Sequence, residues 1–263
     1  MKECDLSAPG LAIIAACPAA GKSALMVSMA LDMSMHETPV AIFSLELSNM
    51  QIALRMLSNV CNMSWDNLRK EVFTDIELAQ IERGKEKLRG LPLFIDDTPG
   101  LSVAELSAKA RLLVNEQGVK MIAIDYLQLM SDRCSPKTKD QDLGMITHSL
   151  KELAMELGIS VIALLQLKCK RGEQIDNIGF PRLSDFPEIN QIERDADVIC
   201  FIDRPLLHKS GWELKDYEGI KNKAKLIFMK HPLGTRTVEM RFCHEYCRFE
   251  TLSKNAPRSP RRQ

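Results

Sequence analysis

Three short runs of the chain are apolar on both faces of the strands that they would form. They are residues 91–95, 119–125 and 160–165, and none alternates apolar with polar residues. Strands that are buried on both sides are typical of the centre of a parallel sheet covered by helices. Stretches with helical periodicity separate these runs, and the same order begins with apolar runs at residues 11–15 and 39–43. The sequence therefore predicts an α/β fold with a mostly parallel central sheet flanked by helices.

The end of the chain has a different pattern. After Asp197, short apolar runs separated by turn-like loops fall at residues 198–202, 224–229, 237–242 and 246–249. Short strands joined by turns are typical of antiparallel pairing, so we expect the sheet to finish with an antiparallel edge. We expect one domain over residues 1–252. Residues 253–263 contain two prolines and three arginines and predict a disordered basic tail.

Three helix starts are marked by Ser or Thr followed three residues later by Glu or Gln. The pairs are Ser48 with Gln51, Thr74 with Glu77, and Ser102 with Glu105. This spacing allows a capping box, in which each side chain accepts a hydrogen bond from the other residue's backbone N–H.

The overall charge excludes one class of protein. Because 35 Lys and Arg balance 35 Asp and Glu, the chain is not one that binds nucleic acid or anionic membrane by bulk charge alone. No apolar run approaches the roughly 18 residues needed to span a bilayer, and the N-terminus lacks a signal-like apolar core. We therefore expect a cytoplasmic protein without membrane contact. The eight cysteines have no close regular spacing, which predicts reduced thiols.

A loop of small residues joins the first predicted strand to the first predicted helix. It reads Ala16-Cys17-Pro18-Ala19-Ala20-Gly21-Lys22-Ser23, with alanine where a phosphate-binding P-loop normally has its first glycine. In such a loop, successive backbone N–H groups cradle the phosphates, a lysine reaches the β- and γ-phosphates, and a hydroxyl binds Mg²⁺. Gly21, Lys22 and Ser23 match the last three of these positions, so the loop is a candidate phosphate site.

Three polar residues follow predicted strands at the points where the strands end. Asp125 follows a buried run, where its carboxylate can hold Mg²⁺. Glu46 leaves the second run in the same way, and it is either the group that orients the attacking water or a solvated residue. Gln166 ends a third run, and it either senses the γ-phosphate or is a structural capping amide.

Five strings of the sequence resemble the C-terminal motor domain of the DnaB family of replicative hexameric DNA helicases. They are Phe43 to Ser48, Ile95 to Ser102, Ile124 to Met130, Leu183 to Asp185, and Glu193 to Asp197. The resemblance extends from about Leu11 to Leu252, and its Asp-Asp-Thr-Pro-Gly and Asp-Tyr-Leu-Gln-Leu-Met strings are more specific than a P-loop. It implies a RecA-like P-loop NTPase fold, hydrolysis of ATP with Mg²⁺ at subunit interfaces, and a ring of six copies around single-stranded DNA. A primase or a helicase loader is a candidate partner.

The resemblance assigns roles within the candidate site. It makes Lys22 the phosphate residue, Glu46 the catalytic carboxylate and Gln166 the sensor. It makes Ser23 and Asp125 the candidate Mg²⁺ ligands. Asp125 is also a candidate catalytic residue.

The chain departs from the family where a neighbouring subunit would complete the site. The family has a Lys-x-Arg pair near its C-terminal end, and here Lys230 matches the lysine while Pro232 occupies the arginine position. Arg236, four residues further on, is the candidate substitute. Arg55 also falls in a matching stretch and is a candidate nucleotide-binding residue, with a structural role as the alternative.

The expected DNA-binding segments also depart from the family pattern. The candidate contacts are Lys168, Lys170, Arg171, Glu188 and Asn190. Cys169 and Pro187 stand at arginine positions of the family and Asn190 at a glycine position, although the loop after Gln166 stays locally basic.

The resemblance favours an ATP-driven helicase motor that lacks the N-terminal collar domain of the family. The alternative is a divergent ATP-binding module with weak hydrolysis that acts as a regulatory or assembly partner, which Pro187, Pro232 and the missing collar favour. A strand-exchange recombinase on the same fold is a third, weaker reading.

Overall fold

The computed structural model describes residues 9–70, 72–130, 139–168, 189, 192–205 and 220–252. Within these residues, strands and helices alternate along the first two thirds of the chain. The strands are β1 (Gly10–Ala16), β2 (Val40–Ser44), β3 (Leu93–Asp96), β4 (Met121–Asp125), β5 (Ser160–Gln166), β6 (Val198–Asp203), β7 (Lys223–Lys230), β8 (Arg236–Cys243) and β9 (Arg248–Thr251). The helices are α1 (Lys22–Met35), α2 (Asn49–Cys61), α3 (Trp65–Leu68), α4 (Asp75–Arg89), α5 (Val103–Gln117) and α6 (Lys139–Leu157).

The described strands form one sheet in the order β3-β2-β4-β5-β1-β6-β7-β8-β9. The pairs from β3 to β6 are parallel, and the pairs from β6 to β9 are antiparallel. Both the mostly parallel sheet and its antiparallel edge are therefore confirmed.

Two apolar clusters cover the two faces of the sheet. One contains the apolar side of α1 together with Phe242 and Phe249 from the last two strands, and the other contains α5 and α6. A third, smaller cluster lies between α2, α3 and α4. The layered arrangement leaves the carboxyl ends of the parallel strands open at one edge of the sheet, which is where ligands bind in this kind of fold.

The three helix starts that the sequence predicts are confirmed. All three predicted capping boxes form, at the starts of α2, α4 and α5. Each satisfies backbone N–H groups that a helix start leaves without an intrahelical partner.

Two sequence-based expectations need correction. Residues 91–95 were expected to form a strand buried on both faces, but β3 lies at the edge of the sheet, pairs with β2 only, and is half-buried throughout. Cys17 is disulfide-bonded rather than reduced, because pairing depends on which thiols the fold brings within bonding distance, and sequence spacing does not report this. Cys61 and Cys243, which are buried, and Cys247, which is partly exposed, form no disulfide. None of the described helices is long and apolar enough to cross a membrane.

Candidate nucleotide-binding site

The loop after β1 has the geometry of a phosphate cradle. Its last residue, Gly21, has a left-handed backbone (φ 97°), and α1 begins directly after it. A Cβ added at Gly21 would lie 3.1 Å from Cε2 of Phe249, so both the backbone and the space favour glycine here. No side chain caps the start of α1, so its first N–H groups remain available to an anion.

Lys22 places its ammonium inside this loop. The side chain is buried, and its Nζ lies 3.5 Å from the carbonyl oxygens of both Ala16 and Cys17. Burial lowers the pKa of Lys22, while the negative charges of Asp125 and Glu46 act in the opposite direction. A buried cation held only by two long hydrogen bonds is well placed to bind an anionic phosphate.

Asp125 ends β4 at the same edge of the sheet. Its carboxylate is fully buried, and neither oxygen has a hydrogen-bond partner of acceptable geometry. Burial raises the pKa of Asp125, and the nearby Glu46 raises it further. The Ser23 hydroxyl and the cations Lys22 and Arg55 favour the ionised form, so all three lie close to the carboxylate. Oxygen ligands of this kind suit Mg²⁺, and the two unsatisfied oxygens fit a bound cation.

Glu46 projects from a turn whose backbone is fixed on both sides. The Ser44 hydroxyl donates to the Leu47 carbonyl over 2.6 Å, and the Leu45 N–H donates to the Asp125 carbonyl over 2.7 Å. The Glu46 side chain itself is exposed, yet its charge acts on both Asp125 and Lys22. The turn therefore holds a solvent-facing carboxylate beside a buried one.

Asp97 also stabilises the backbone just after this turn, a role that the sequence did not predict. Its Oδ2 accepts a hydrogen bond of 2.8 Å from the N–H of Asn49, the first residue of α2. Asp97 belongs to the Asp-Asp-Thr-Pro-Gly string that resembles the DnaB family, but the resemblance assigned no role to the individual side chains of that string.

Gln166 ends β5 next to the start of the P-loop. It pairs with Ala16 in the sheet, and the following residue, Leu167, donates its N–H to the Ala16 carbonyl over 3.0 Å. The side chain of Gln128 bonds both backbone groups of Gln166. Its Nε2 donates to the carbonyl over 2.7 Å, and its Oε1 accepts from the N–H over 3.2 Å. Gln128 thus takes the place of a neighbouring strand beyond the end of β4, and sequence reasoning missed this role as well.

Arg55 lies on α2, on the metal side of the candidate site. Its charge acts on Asp125, and its guanidinium lies 6.0 Å from the centroid of the Trp65 ring. Arg55 therefore acts electrostatically on a candidate Mg²⁺ ligand, and its role as a nucleotide-binding residue stays a prediction.

Lys230 and Arg236 lie on the antiparallel side of the sheet, on β7 and β8. Lys230 pairs with Ile199 near the start of β6, and Ile199 lies opposite Ile13 in the middle of β1. The register therefore places Lys230 two strands to the side of β1 and about 10 Å along the strand direction from Ala16, where the P-loop begins.

The two cations are held differently. Lys230 donates from Nζ to the Glu193 carbonyl over 2.6 Å. Arg236 turns its guanidinium onto its own strand neighbour, 4.9 Å from the ring centroid of Phe228 and 3.4 Å from Nε2 of His231. The Arg236 Nε is buried without a hydrogen-bond partner.

The predicted DNA contacts are only partly visible. Lys168 is exposed, two residues beyond Gln166. Lys170, Arg171, Glu188 and Asn190 lie outside the described residues, as does the predicted tail at 253–263.

Comparison with known proteins identifies the family. The family model of the DnaB-like helicase C terminal domain matches residues 5–251. The chain belongs to the DnaB-like helicase family. It is 37% identical over 250 residues to replicative DNA helicase DnaB of Geobacillus stearothermophilus, covering 93% of this chain and 53% of the relative. It is 36% identical over 248 residues to replicative DNA helicase DnaB of Leifsonia xyli, covering 93% and 52%.

Solved structures of DnaB-like proteins have the same fold. A DnaB-like replicative helicase, described together with its interactions with primase, has a TM-score of 0.83 and 28% identity, over 93% of this chain and 58% of that chain. A solved ATPase domain has the same TM-score and identity, over 93% of this chain and 85% of that chain. The RecA-like fold is therefore confirmed. The chain spans about half the length of the DnaB relatives it matches.

Proposed function

We propose that residues 1–252 are the ATP-hydrolysing motor domain of a cytoplasmic replicative DNA helicase, which translocates on single-stranded DNA and unwinds duplex DNA. Membership of the DnaB-like family supports the proposal. The observation that carries it is the state of Asp125, whose carboxylate is fully buried near Lys22 and Ser23 and has no well-aligned hydrogen bond within the part of the chain that the structure describes. An unsatisfied buried carboxylate is costly, and binding of a divalent cation removes that cost.

Nucleotide binding follows from the loop and the start of α1. The backbone N–H groups of residues 16–21 and of the first turn of α1 hold the phosphates of ATP, and the Lys22 ammonium binds the β- and γ-phosphates. The Ser23 hydroxyl and the Asp125 carboxylate would hold Mg²⁺, which neutralises phosphate charge when bound. Arg55 adds positive charge on the same side.

Hydrolysis requires a positioned water and a group that receives its proton. The exposed Glu46 carboxylate orients the water and accepts the proton as the water oxygen bonds to the γ-phosphorus and the bridging P–O bond breaks. Gln166 senses the γ-phosphate from the end of β5. Because Lys168 follows two residues later, movement at Gln166 is transmitted to the segment that would contact DNA.

The proposed assembly is a homo-oligomeric ring of six copies. In it, Lys230 acts on the nucleotide of the neighbouring copy, and Arg236 is the sequence-based candidate for the guanidinium that accompanies it. Single-stranded DNA binds in the channel, and a primase or a helicase loader is the proposed protein partner. The proposed DNA contacts are Lys168, Lys170, Arg171, Glu188 and Asn190.

The decisive experiment measures ATP hydrolysis with and without single-stranded DNA on material of measured oligomeric mass. We expect hydrolysis stimulated by DNA, together with unwinding of a forked duplex. Lys22→Ala should abolish nucleotide binding or hydrolysis, whereas Lys120→Ala, at an exposed lysine just before β4, should have no effect. Wild-type turnover in Lys22→Ala would refute the assignment of the P-loop. Hydrolysis that ignores DNA, with no unwinding by the assembled protein, would refute the motor.

A second candidate function is a DnaB-like module that binds ATP, hydrolyses it weakly and regulates or assembles a complete helicase. Pro232 favours it, because proline has no donor with which to stabilise a phosphate at the position where the family has arginine. This function predicts nucleotide binding of normal affinity with turnover that single-stranded DNA does not raise.

A further inference from the structure

The neighbour-facing edge of this chain needs a guanidinium that Pro232 does not supply. Phosphoryl-transfer sites that are completed by a neighbouring subunit rely on such a group to stabilise charge on the transferring phosphate. Arg236 is poorly placed for this role, because its guanidinium packs on Phe228 and its Nε is buried. Reaching a neighbouring nucleotide would require Arg236 to leave that packing.

A cleft of about 390 Å³ at this edge contains another arginine. The cleft is lined by Lys151, Arg194, Asp195, Ala196, Asp197, Lys230, His231 and Pro232. Arg194 and Pro232 therefore share one cleft with Lys230, although Arg194 and Lys230 are far apart in sequence. The Arg194 side chain is exposed, unlike that of Arg236.

The backbone ties Arg194 to Lys230. The Lys230 ammonium donates to the carbonyl of Glu193, the residue directly before Arg194. The turn that carries Arg194 is fixed by hydrogen bonds from the N–H groups of Asp195 and Ala196 to the Ile192 carbonyl, over 3.2 and 3.1 Å. Lys230 is thus anchored to the turn that carries Arg194, and both residues line the same cleft.

The carboxylates near Arg194 have other partners. Asp195 lies 3.0 Å from Nδ1 of His148, and Asp197 forms an ion pair of 2.7 Å with Lys151. Within the part of the chain that the structure describes, the Arg194 guanidinium has no hydrogen bond or ion pair. Its donors remain free for an anion from outside the chain.

We propose that Arg194 supplies, in trans, the guanidinium that stabilises the transferring γ-phosphate in the nucleotide site of the neighbouring copy, beside Lys230. The inference rests on the proposed function and names a residue for the role that Pro232 has lost. Arg194 forms no covalent bond and transfers no proton. It binds the γ-phosphate oxygens while Glu46 of the other copy accepts the proton of the attacking water.

Kinetics of three substitutions test the role. Arg194→Ala should lower kcat for ATP hydrolysis by about 10³-fold and leave affinity for ATP within about twofold, because the finger acts on the transition state. Arg194→Lys should retain part of the activity. Arg83→Ala, at an exposed arginine on α4, is the matched control and should keep kcat within a few-fold of the wild type. A kcat for Arg194→Ala within a few-fold of the wild type would overturn the proposal.

Mixed oligomers test whether the residue acts between copies. Homo-oligomers of Lys22→Ala and of Arg194→Ala should both be inactive. Mixing them should restore hydrolysis, because an Arg194→Ala copy keeps its P-loop and receives Arg194 from a Lys22→Ala neighbour. No recovery in oligomers shown by mass to be mixed would refute action in trans.

A binding measurement separates this inference from the proposed function. ADP with aluminium fluoride mimics the transferring phosphate and needs no turnover. Arg194→Ala should bind this mimic at least tenfold more weakly than the wild type, with ADP affinity unchanged. Equal binding of the mimic by both proteins would overturn the role of Arg194, even in a chain that hydrolyses no ATP. Failure of the wild type to hydrolyse ATP would instead count against the motor.

Discussion

Replacing Asp125 by Asn should make the nucleotide-free protein more stable while ending Mg²⁺-dependent hydrolysis. The Asp125 carboxylate is fully buried, and both oxygens lack hydrogen-bond partners. Burial raises the pKa of Asp125, so the folded protein disfavours its ionised form. Asn has a similar shape and no charge, which removes the cost of burying an anion but also removes a candidate Mg²⁺ ligand.

The size of the effect follows from the unsatisfied carboxylate. Leaving a buried polar group without a partner costs about 1–3 kcal/mol, and more when the group is charged. The attraction of Lys22 and the nearby Ser23 hydroxyl offset part of this cost. A net gain of about 1–3 kcal/mol corresponds to a rise of roughly 3–9 °C in Tm for a protein of this size.

Thermal unfolding across pH isolates the cause. The pKa of Asp125 is raised in the folded protein. Below the unfolded pKa of about 3.9, the carboxyl is neutral in both states and does not lower the stability of the folded protein. The loss of stability develops as the pH rises through the folded pKa. The Tm difference between Asp125→Asn and the wild type should therefore grow as the pH rises and shrink toward pH 4. Glu116→Gln, at an exposed carboxylate on α5, serves as the control and should show no such gap. A Tm gain that does not change with pH, or no gain at all, would refute the reasoning.

Two further substitutions test packing and positioning. Gly84→Ala should cost about 1–3 kcal/mol in urea unfolding because its Cβ would collide with the Cys61 Sγ, whereas Gly90→Ala meets nothing within 4 Å and should be neutral; equal stability of the two would contradict this. Gln128→Ala should lower kcat for ATP hydrolysis about tenfold with unchanged ATP affinity, because two hydrogen bonds of about 1 kcal/mol each hold Gln166 in place. An unchanged kcat would show that the position of Gln166 does not depend on this pair.

Local signals in the sequence predicted much of the fold. The capping boxes at Ser48, Thr74 and Ser102 form because they depend only on residues within one helical turn. The pattern of apolar runs does not predict the order of the strands in the sheet. The run at 91–95 is as apolar as the central runs, but its place at the edge is set by the crossover that brings β2 between it and β4.

Part of the candidate site could also be predicted from the sequence, and part of it could not. The loop at 16–23 and Asp125 could be found from sequence because each is a strand end followed by characteristic residue types. The roles of Asp97 and Gln128 depend on hydrogen bonds to residues 48 and 38 positions away, and no periodicity reports such contacts. Arg194 and Lys230 line one cleft because the antiparallel pairing of β6 and β7 brings Lys230 beside the start of β6.

In the proposed ring, a chain with no net charge can still present complementary surfaces to copies of itself. At the carboxyl end of β1, the carboxylates Glu46 and Asp125 lie with the cations Lys22 and Arg55, and bound phosphates would make this side negative. Near the start of β6, Arg194 and Lys230 are cations without a carboxylate partner among the described residues. A head-to-tail contact in the proposed ring would bring these cations over the nucleotide of the next copy, and such heterologous contacts close into rings when the rotation permits. The complementary charges would then lie on different copies, which net charge alone does not reveal.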